Sequence, residues 1–521
     1  MHMPVMWAAR ASVVSRLVRA AVVAWLLGLG ALPATAQTVT RPFSSLPSPD
    51  GAAAEAHALV VELSAREALS GVHLQLASDV APEAGARYVV WVNGTQVAQA
   101  DARGEVQTIP LSPQAFVPGT NSIQLARVPH AAKITAETAY SDIAPVNIAR
   151  SSISLDFAGL RPNPAPTLAQ LPLAFDARSW MPRNVTVALG SGLPSPQRLQ
   201  AATLAVESIA ARMRQVDVTV TYKGTDPIVK RGDSGSWDID KDTARAGDVL
   251  LVGTRSALKE ALPAAVAESI NGPFLGIYAA NEGKSVVMVL SGVTETDCLR
   301  AAQAFADTSM ALPSRADMTL DAAAAIHAPP GHLAISLGRP DAALVRAVLN
   351  FAAVHVRATG VLADFTFAFP GDFASTDFFF GPATSLDALQ LRQLPSLPTL
   401  QPGQAVSLTG QASGHPFVAI LGSNDASVPR AVEMLRQPAV WSQFAQGATL
   451  FDSATVSTTP LAIAGRSGIA RLRLLLADPL VFWGVLTILL ALSYIFLNMT
   501  LKEQVKKRFD QSSFSDPSPK R

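Results

Sequence analysis

The sequence predicts a multidomain β and α/β chain that ends in a membrane span. Three observations predict it. Short β-rich runs separated by turn signals fill residues 56 to 160, uniformly apolar strands alternate with helices after residue 170, and an uncharged apolar run extends from Leu480 to Leu497. The first pattern is that of a β-sandwich, the second that of layered α/β modules, and the third suffices to cross a hydrocarbon core of about 30 Å at about 1.5 Å per residue.

The N-terminus reads as a secretory signal over residues 1–36. Arg10, Arg16 and Arg19 precede an apolar run from Ala20 to Leu32, and Ala34-Thr35-Ala36 fits the small-x-small cleavage pattern, so the mature chain begins near Gln37. An uncleaved N-terminal anchor is the alternative. Either way, residues from about 40 to 470 are expected to be exported.

Within residues 37–165 the runs "ALVVELS", "VHLQLA", "RYVVWVNGTQVAQA", "VQTIPL", "NSIQLARV" and "SSISLDF" predict strands. Asn93-Gly94 marks a hairpin, because both residues tolerate positive φ. Pro118-Gly119 marks a turn feeding the next strand.

A Pro-rich linker, "GLRPNPAPTLAQLP", leads to a first α/β module over residues 170–312. Its "NVTVALG" strand precedes a helix in which Leu199, Ala202, Val206, Ile209 and Met213 share one face. A second module, residues 330–450, reads as a repeat of the first. "HLAISLG" matches "NVTVALG", "ADFTFAF" matches "VDVTVTY", "DFFFGPATSLDAL" matches "DVLLVGTRSAL", and "PFVAILGSNDASVPRAVEML" matches "SVVMVLSGVTETDCLRAAQAF". The first copy carries a polar insertion, "KGTDPIVKRGDSGSWDIDKDTARAG", expected to be a surface loop.

The membrane end has three parts. Residues 460–478 have Ile469, Leu472 and Leu476 on one helical face, with Arg466 and Arg473 nearby, compatible with an interfacial helix or with a linker. Residues 479–501 form the span, started by Asp478 as N-cap and Pro479 at the first position. Gly484, Thr487 and Ala491 share a face, a seam that lets membrane helices approach closely or a set of residues merely tolerated in a lone span. Residues 502–521, with Lys502, Lys506, Lys507 and Arg508, form the tail expected in the cytoplasm, although Arg466, Arg471 and Arg473 weaken the charge bias.

Composition excludes several classes of function. Only 16% of residues are charged and the formal net charge is +1, so no basic stripe marks a nucleic-acid footprint. Cys298 is the only cysteine, which excludes an internal disulfide and a cysteine zinc site; it lies in a predicted helix and reads as packed. "ALGSGLPS" lacks the third glycine of a dinucleotide fingerprint and the Gly-Lys of a P-loop, and reads as a tight turn. No Gly-x-Ser-x-Gly or His-Glu-x-x-His occurs, and His355 reads as a packed or edge residue. No metal or cofactor is expected, and no catalytic residue. The recognition chemistry that remains is sugar stacking on aromatics. Trp237, with Asp238 and Asp240, is the candidate glycan contact, the alternative being docking of that loop onto its own domain or a partner. Trp91 lies mid-strand, where core packing is the better reading.

The order sandwich, α/β module, α/β module, span resembles the periplasmic B subunit family of bacterial cellulose synthase. "FVPGTNSIQL", "NIARSSISLDF", "GDVLLVGTRSALKEAL" and the anchor from Asp478 carry the resemblance over nearly the whole mature chain. It implies a carbohydrate-binding-like jelly roll, flavodoxin-like modules, and a terminal helix, including Pro479, Gly484, Thr487 and Ala491, docked on a catalytic membrane subunit. That partner polymerises glucose from UDP-glucose and responds to cyclic di-GMP in the cytoplasm. The expected role is a non-catalytic accessory subunit, anchored in the bacterial inner membrane with its bulk in the periplasm, that guides the nascent glucan. An anchored carbohydrate-binding receptor without a synthase is the alternative. Two departures stand out. "LPSRADMTLDAAAAIHAPPG" leaves no room for the second sandwich usual between the α/β modules, so the chain reads as a compact variant. No Arg-x-x-x-Arg followed by Asp/Asn-x-Ser-x-x-Gly occurs, so no direct cyclic di-GMP binding is expected.

Overall fold

A computed structural model describes residues 37–461, apart from 48–57, 79–84, 104, 129–146, 225–228, 232–236, 240–246, 322–323, 370–372 and 396, together with Lys502. The expected signal peptide and membrane span lie outside the described residues, as does the expected interfacial helix beyond Leu461, its first residue, Pro460, ending a strand instead.

The N-terminal unit is two four-stranded antiparallel sheets. β1 (Gln37–Pro42), β8 (Ser152–Leu160), β3 (Glu67–Ala77) and β6 (Val106–Leu111) form one in the order 1-8-3-6. β2 (Ala58–Leu63), β7 (Gly119–Val128), β4 (Arg87–Val92) and β5 (Thr95–Asp101) form the other in the order 2-7-4-5. The pairs are nested: 4 with 5, 3 with 6, 2 with 7, 1 with 8. The innermost pair turns at Asn93 and Gly94, at φ of 52° and 77°, the double positive φ that a two-residue hairpin needs. Alternation puts Val72, Leu74, Tyr88, Val90, Leu125, Leu155 and Phe157 into the core between the sheets. β1 was not legible as a strand, because "QTVTRP" pairs only with β8 at a sheet edge and its outward residues are Thr.

The linker is fastened rather than loose. Asn163 donates its amide to the Gly283 carbonyl at 2.8 Å, and Leu168 is fully buried. Glu67 of β3, buried, accepts the amides of Trp180 and Met181 at 3.0 and 2.9 Å. The Trp180 indole donates to the Glu62 carbonyl at 2.7 Å and lies under the Arg41 guanidinium.

Both α/β modules have one strand plan. The first sheet runs β10 (Val218–Tyr222), β9 (Arg183–Ala188), β13 (Asp248–Thr254), β15 (Ser285–Gly292), β14 (Phe274–Ala280), then two short strands, β12 (Trp237–Ile239) and β11 (Val229–Arg231), with β16 (Asp317–Thr319) also on β14. The second runs β18 (Ala363–Ala368), β17 (Gly331–Leu337), β19 (Phe378–Pro382), β21 (His415–Gly422), β20 (Gln404–Ala412), β22 (Thr449–Asp452), β23 (Ser457–Pro460). Counting long strands within each module, both orders begin 2-1-3-5-4, and each pair of strands matched in the sequence holds the same place in its sheet. An all-parallel flavodoxin-like sheet would run 2-1-3-4-5. Here strands 4 and 5 are exchanged and antiparallel. Only residues 281–284 join β14 to β15, and Ser413-Gly414 joins β20 to β21, too short for the crossover that parallel pairing requires.

Helix α1 (Pro196–Arg212) follows β9, and α2 (Glu295–Ala306) follows β15. Ser195 caps α1 by accepting the Arg198 amide, and Thr294 with Asp297 forms a capping box on α2. In the second module α3 (Ala342–Thr359) follows β17, while α4 (Ser427–Met434) and α5 (Pro438–Gln446) follow β21. Asp341 caps α3, and Gly360 ends it at φ of 72°. α3 is long and apolar enough to cross a membrane, yet its Leu344, Val348, Phe351 and Ala352 are fully buried in protein. It packs on α1, and one continuous core runs through both modules. Smaller cores cover the opposite sheet faces, around Leu251 and Val289 in the first module and Leu408 and Phe417 in the second.

Candidate functional site

The insertion expected to be a surface loop adds two strands to the first sheet, and Trp237 is a core residue. β12 runs parallel to β14 through Trp237 opposite Ala280. The indole is 6% exposed, lies 5.3 Å from the Tyr278 ring, and packs with Ala188, Val249 and Leu251. An aromatic so covered has no open face for a sugar, which corrects the expectation of an exposed indole. Asp238 pairs through its backbone with Lys230 on β11, and Asp240 lies outside the described residues. Trp91 is packed as expected, but on the face of β4 opposite the main core, in a small cluster with Val89, Ala126 and Val128. Pro479, Gly484, Thr487 and Ala491 lie outside the described residues.

Among the described residues the histidines do not assemble a nucleophilic centre. Asp307 and Ser309 both approach the same Nδ1 of His327, at 2.9 and 3.2 Å, whereas a triad needs the two on opposite ring nitrogens. Burial acts to raise the Asp307 carboxyl, but bonds from Ser309 and His327 outweigh it and hold the group well below the carboxylate range. His73 and His415 bond Asp156 and Asp377 at the surface. Cys298 is buried as expected, and burial first, then Glu295, pushes its thiol up to about 12. Among the described residues no group of three or more His, Cys, Asp or Glu gathers to hold a metal ion.

Two cavities stand out among the described residues. One of about 220 Å³ at the end of the sandwich is bordered by Glu67, whose carboxylate is already engaged by Trp180 and Met181. The larger, about 350 Å³, opens where the two α/β modules meet. Asp217, just before β10, forms one side; the last turns of α3 supply Val354 and Arg357; the α4–α5 junction supplies Leu435, Arg436 and Trp441. Val354 and Leu435 are buried and give it an apolar floor. Trp441 is half-buried, its ring 5.5 Å from Phe444 and 6.3 Å from Phe351, which hold it in place.

The polar lining of this cleft is paired apart from Arg436 Nε, which is buried without a hydrogen-bond partner. Arg357 forms a salt bridge with Asp217, across the module boundary, with side-chain exposures of 36% and 45%. Arg436 donates to Thr219 Oγ1 at 2.7 Å and to Asn350 Oδ1. Burial lowers the pKa of Arg357 and, as the largest effect, that of Arg436, which Glu433 partly restores. An aromatic, a donor–acceptor pair and an apolar floor at a domain boundary are what a small polar ligand requires. Local sequence patterns could not reveal this site, because Asp217 and Trp441 belong to different modules; the one local signal was Arg436-Gln437-Pro438, which breaks α4 from α5.

No family model and no curated protein matches the chain. Among solved structures it is similar to a family two carbohydrate esterase from Cellvibrio japonicus, at 11% identity and a TM-score of 0.14, covering 42% of this chain and 67% of that one. A putative GDSL-like lipase from Bacteroides ovatus is 10% identical with a TM-score of 0.15, over 66% of this chain and 89% of that one. An acetyl xylan esterase from the rumen bacterium Butyrivibrio proteoclasticus is 10% identical with a TM-score of 0.14, over 64% and 81%. Similarity at that level identifies neither a fold nor an activity for this chain.

Proposed function

We propose that the chain is a non-catalytic accessory subunit of a cellulose-type polysaccharide synthase. On this reading it is held at the bacterial inner membrane by its C-terminal apolar segment, keeps its bulk in the periplasm, docks on the catalytic membrane subunit and guides the nascent glucan. It uses no cofactor and does not itself bind cyclic di-GMP.

The observation that carries the reading is the order of the units: an antiparallel sandwich, then two α/β modules on one strand plan, ahead of the apolar segment. Nested pairing of eight strands, with sheet orders 1-8-3-6 and 2-7-4-5, supports naming the sandwich jelly-roll-like, an architecture used by lectin domains. The strand orders that begin 2-1-3 support a flavodoxin-like ancestry for the modules, modified by the terminal hairpin. A scaffold of this kind suits guidance, because rigid units fastened to each other keep a fixed path beside the membrane.

The test is purification of the full chain from its native membrane, with identification of what accompanies it. A multispanning glucan synthase should co-purify, and replacing residues 479–497 by a generic leucine-rich span should abolish that association while leaving the chain membrane-bound. Recovery of the chain with no synthase would overturn the proposal.

A further inference from the structure

We infer that the cleft between the two α/β modules is a saccharide subsite that holds one or two pyranose rings of a β-glucan, an inference that rests on the proposed function for the identity of the glycan. A β-linked glucose ring has apolar C–H faces and an equatorial rim of hydroxyls, each hydroxyl both a donor and an acceptor. Trp441 offers a flat apolar surface for the first, braced by Phe351 and Phe444. The Arg357–Asp217 pair offers the second: guanidinium donors beside carboxylate acceptors, both partly open to solvent. Two neighbouring hydroxyls of one ring can thus bond to both members at once.

Charge favours this ligand over an anion. Two guanidinium groups line the cleft, but Asp217 neutralises one, and the other spends both terminal nitrogens on Thr219 and Asn350, leaving only its buried Nε unpartnered, with Glu433 close enough to oppose its deprotonation. A phosphate site keeps its cationic donors uncompensated. The volume of about 350 Å³ suits a small ligand segment rather than a protein element.

The experiment uses the full-length protein in detergent, with cellohexaose followed by tryptophan fluorescence and calorimetry, and inorganic phosphate as competitor. Cellohexaose should bind, Trp441→Ala and Asp217→Ala should each raise Kd about tenfold or more, and Trp441→Phe should fall between. Because Trp441 also packs on Phe351, thermal unfolding of every variant accompanies the titrations; Asp217→Ala, at a half-exposed position, should unfold with the wild type. Absence of cellohexaose binding by the wild type, binding indifferent to both alanine variants, or displacement by phosphate would each overturn the subsite. Co-purification of a synthase with a chain that binds no cellohexaose would sink the cleft and leave the accessory role standing. Cellohexaose binding without any synthase would do the reverse.

Discussion

At the scale of the residue, burial decides what chemistry a side chain can perform. Trp237 illustrates this: its neighbours Gly, Ser and Asp predict an exposed loop, yet the indole is a cross-strand neighbour of Ala280 packed at a tilt against the Tyr278 ring. Composition of a short stretch says nothing about which distant strand it joins, so this site assignment was not legible. Trp237→Ala should therefore cost about 3 kcal/mol or more in chemical unfolding, the range for emptying a packed aromatic site, rather than the small effect of a surface change. An unfolding midpoint equal to that of the wild type would show the indole to be dispensable to the core. Glu207 is the second case. It is fully buried, accepts the Ala363 amide at 2.9 Å, and meets His355 at 3.0 Å across the module boundary. Burial raises its carboxyl from 4.5 to about 7, against the opposing pull of the bonds from His355 and Ala363. A carboxyl whose folded pKa is raised contributes its full stability below about 4.5 and loses it as pH climbs through about 7. The loss is on the order of 3 kcal/mol for a shift of that size. Glu207→Gln keeps an acceptor for Ala363 but cannot ionise. It should flatten the dependence of melting temperature on pH between about 5 and 8 and melt higher than the wild type at about pH 8. A variant with the wild-type pH profile would remove Glu207 as the source.

At the scale of the element, local pattern was a good guide wherever an element satisfies itself and a poor one where it depends on a distant partner. The Asn93-Gly94 hairpin, the capped helices α1 to α3 and the matched strands of the two modules were readable because their turn residues, caps and periodicity lie within a dozen positions. β1, β11 and β12 were missed because each is a short strand at or next to a sheet edge with little apolar alternation, held by its neighbours' backbone. The outer strands β10 and β18 show how edges are managed here. Asn350 on α3 takes the Val220 amide at 3.0 Å and returns a bond to the Val220 carbonyl at 2.8 Å, so a helix of the second module completes the edge of the first sheet. Glu207 on α1 does the same for the Ala363 amide at the start of β18. In the repeat these elements are equivalent, and Glu207 and His355 stand at equal distances from the glycines that end the first strands, Gly190 and Gly338. Asn350→Ala should orphan both Val220 groups and the bond from Arg436, and lower stability by about 2 kcal/mol or more. Asn350→Asp can still accept the Val220 amide but cannot donate to its carbonyl, so it should recover only part of that loss. Equal stability of all three proteins in denaturant titrations would mean that water replaces the side chain at that edge.

At the scale of the molecule, the question is whether two modules or one body unfolds. Each module has the helices and sheet of an independent domain, and the repeat in the sequence predicts two. The packing argues for one. α1 is buried on all sides from Ala201 to Ala210, because one side packs on α2 and its own sheet while the other rests on α3 and β18 of the other module. α3 is placed likewise between its own sheet and β10. Separating the modules would expose the apolar contact between α1 and α3, worth about 25 cal/mol per Å², and leave Glu207 and Asn350 without their bonds across the boundary. Interfaces between domains that merely touch are more polar than this, and such domains unfold separately. Residues 170–461 should therefore melt in one calorimetric transition whose van't Hoff and calorimetric enthalpies agree, apart from any separate transition of the sandwich. A fragment of residues 330–461 expressed alone should aggregate or bind a hydrophobic dye, since α3 would present its apolar outer face to water. The cleft beside Trp441 would open in the same event, because Asp217 lies on one side of the boundary and Arg357 on the other. Two resolved transitions for the α/β region, or a soluble and cooperatively folding fragment 330–461, would show that the shared core is a contact between independent domains and that the cleft can open without unfolding.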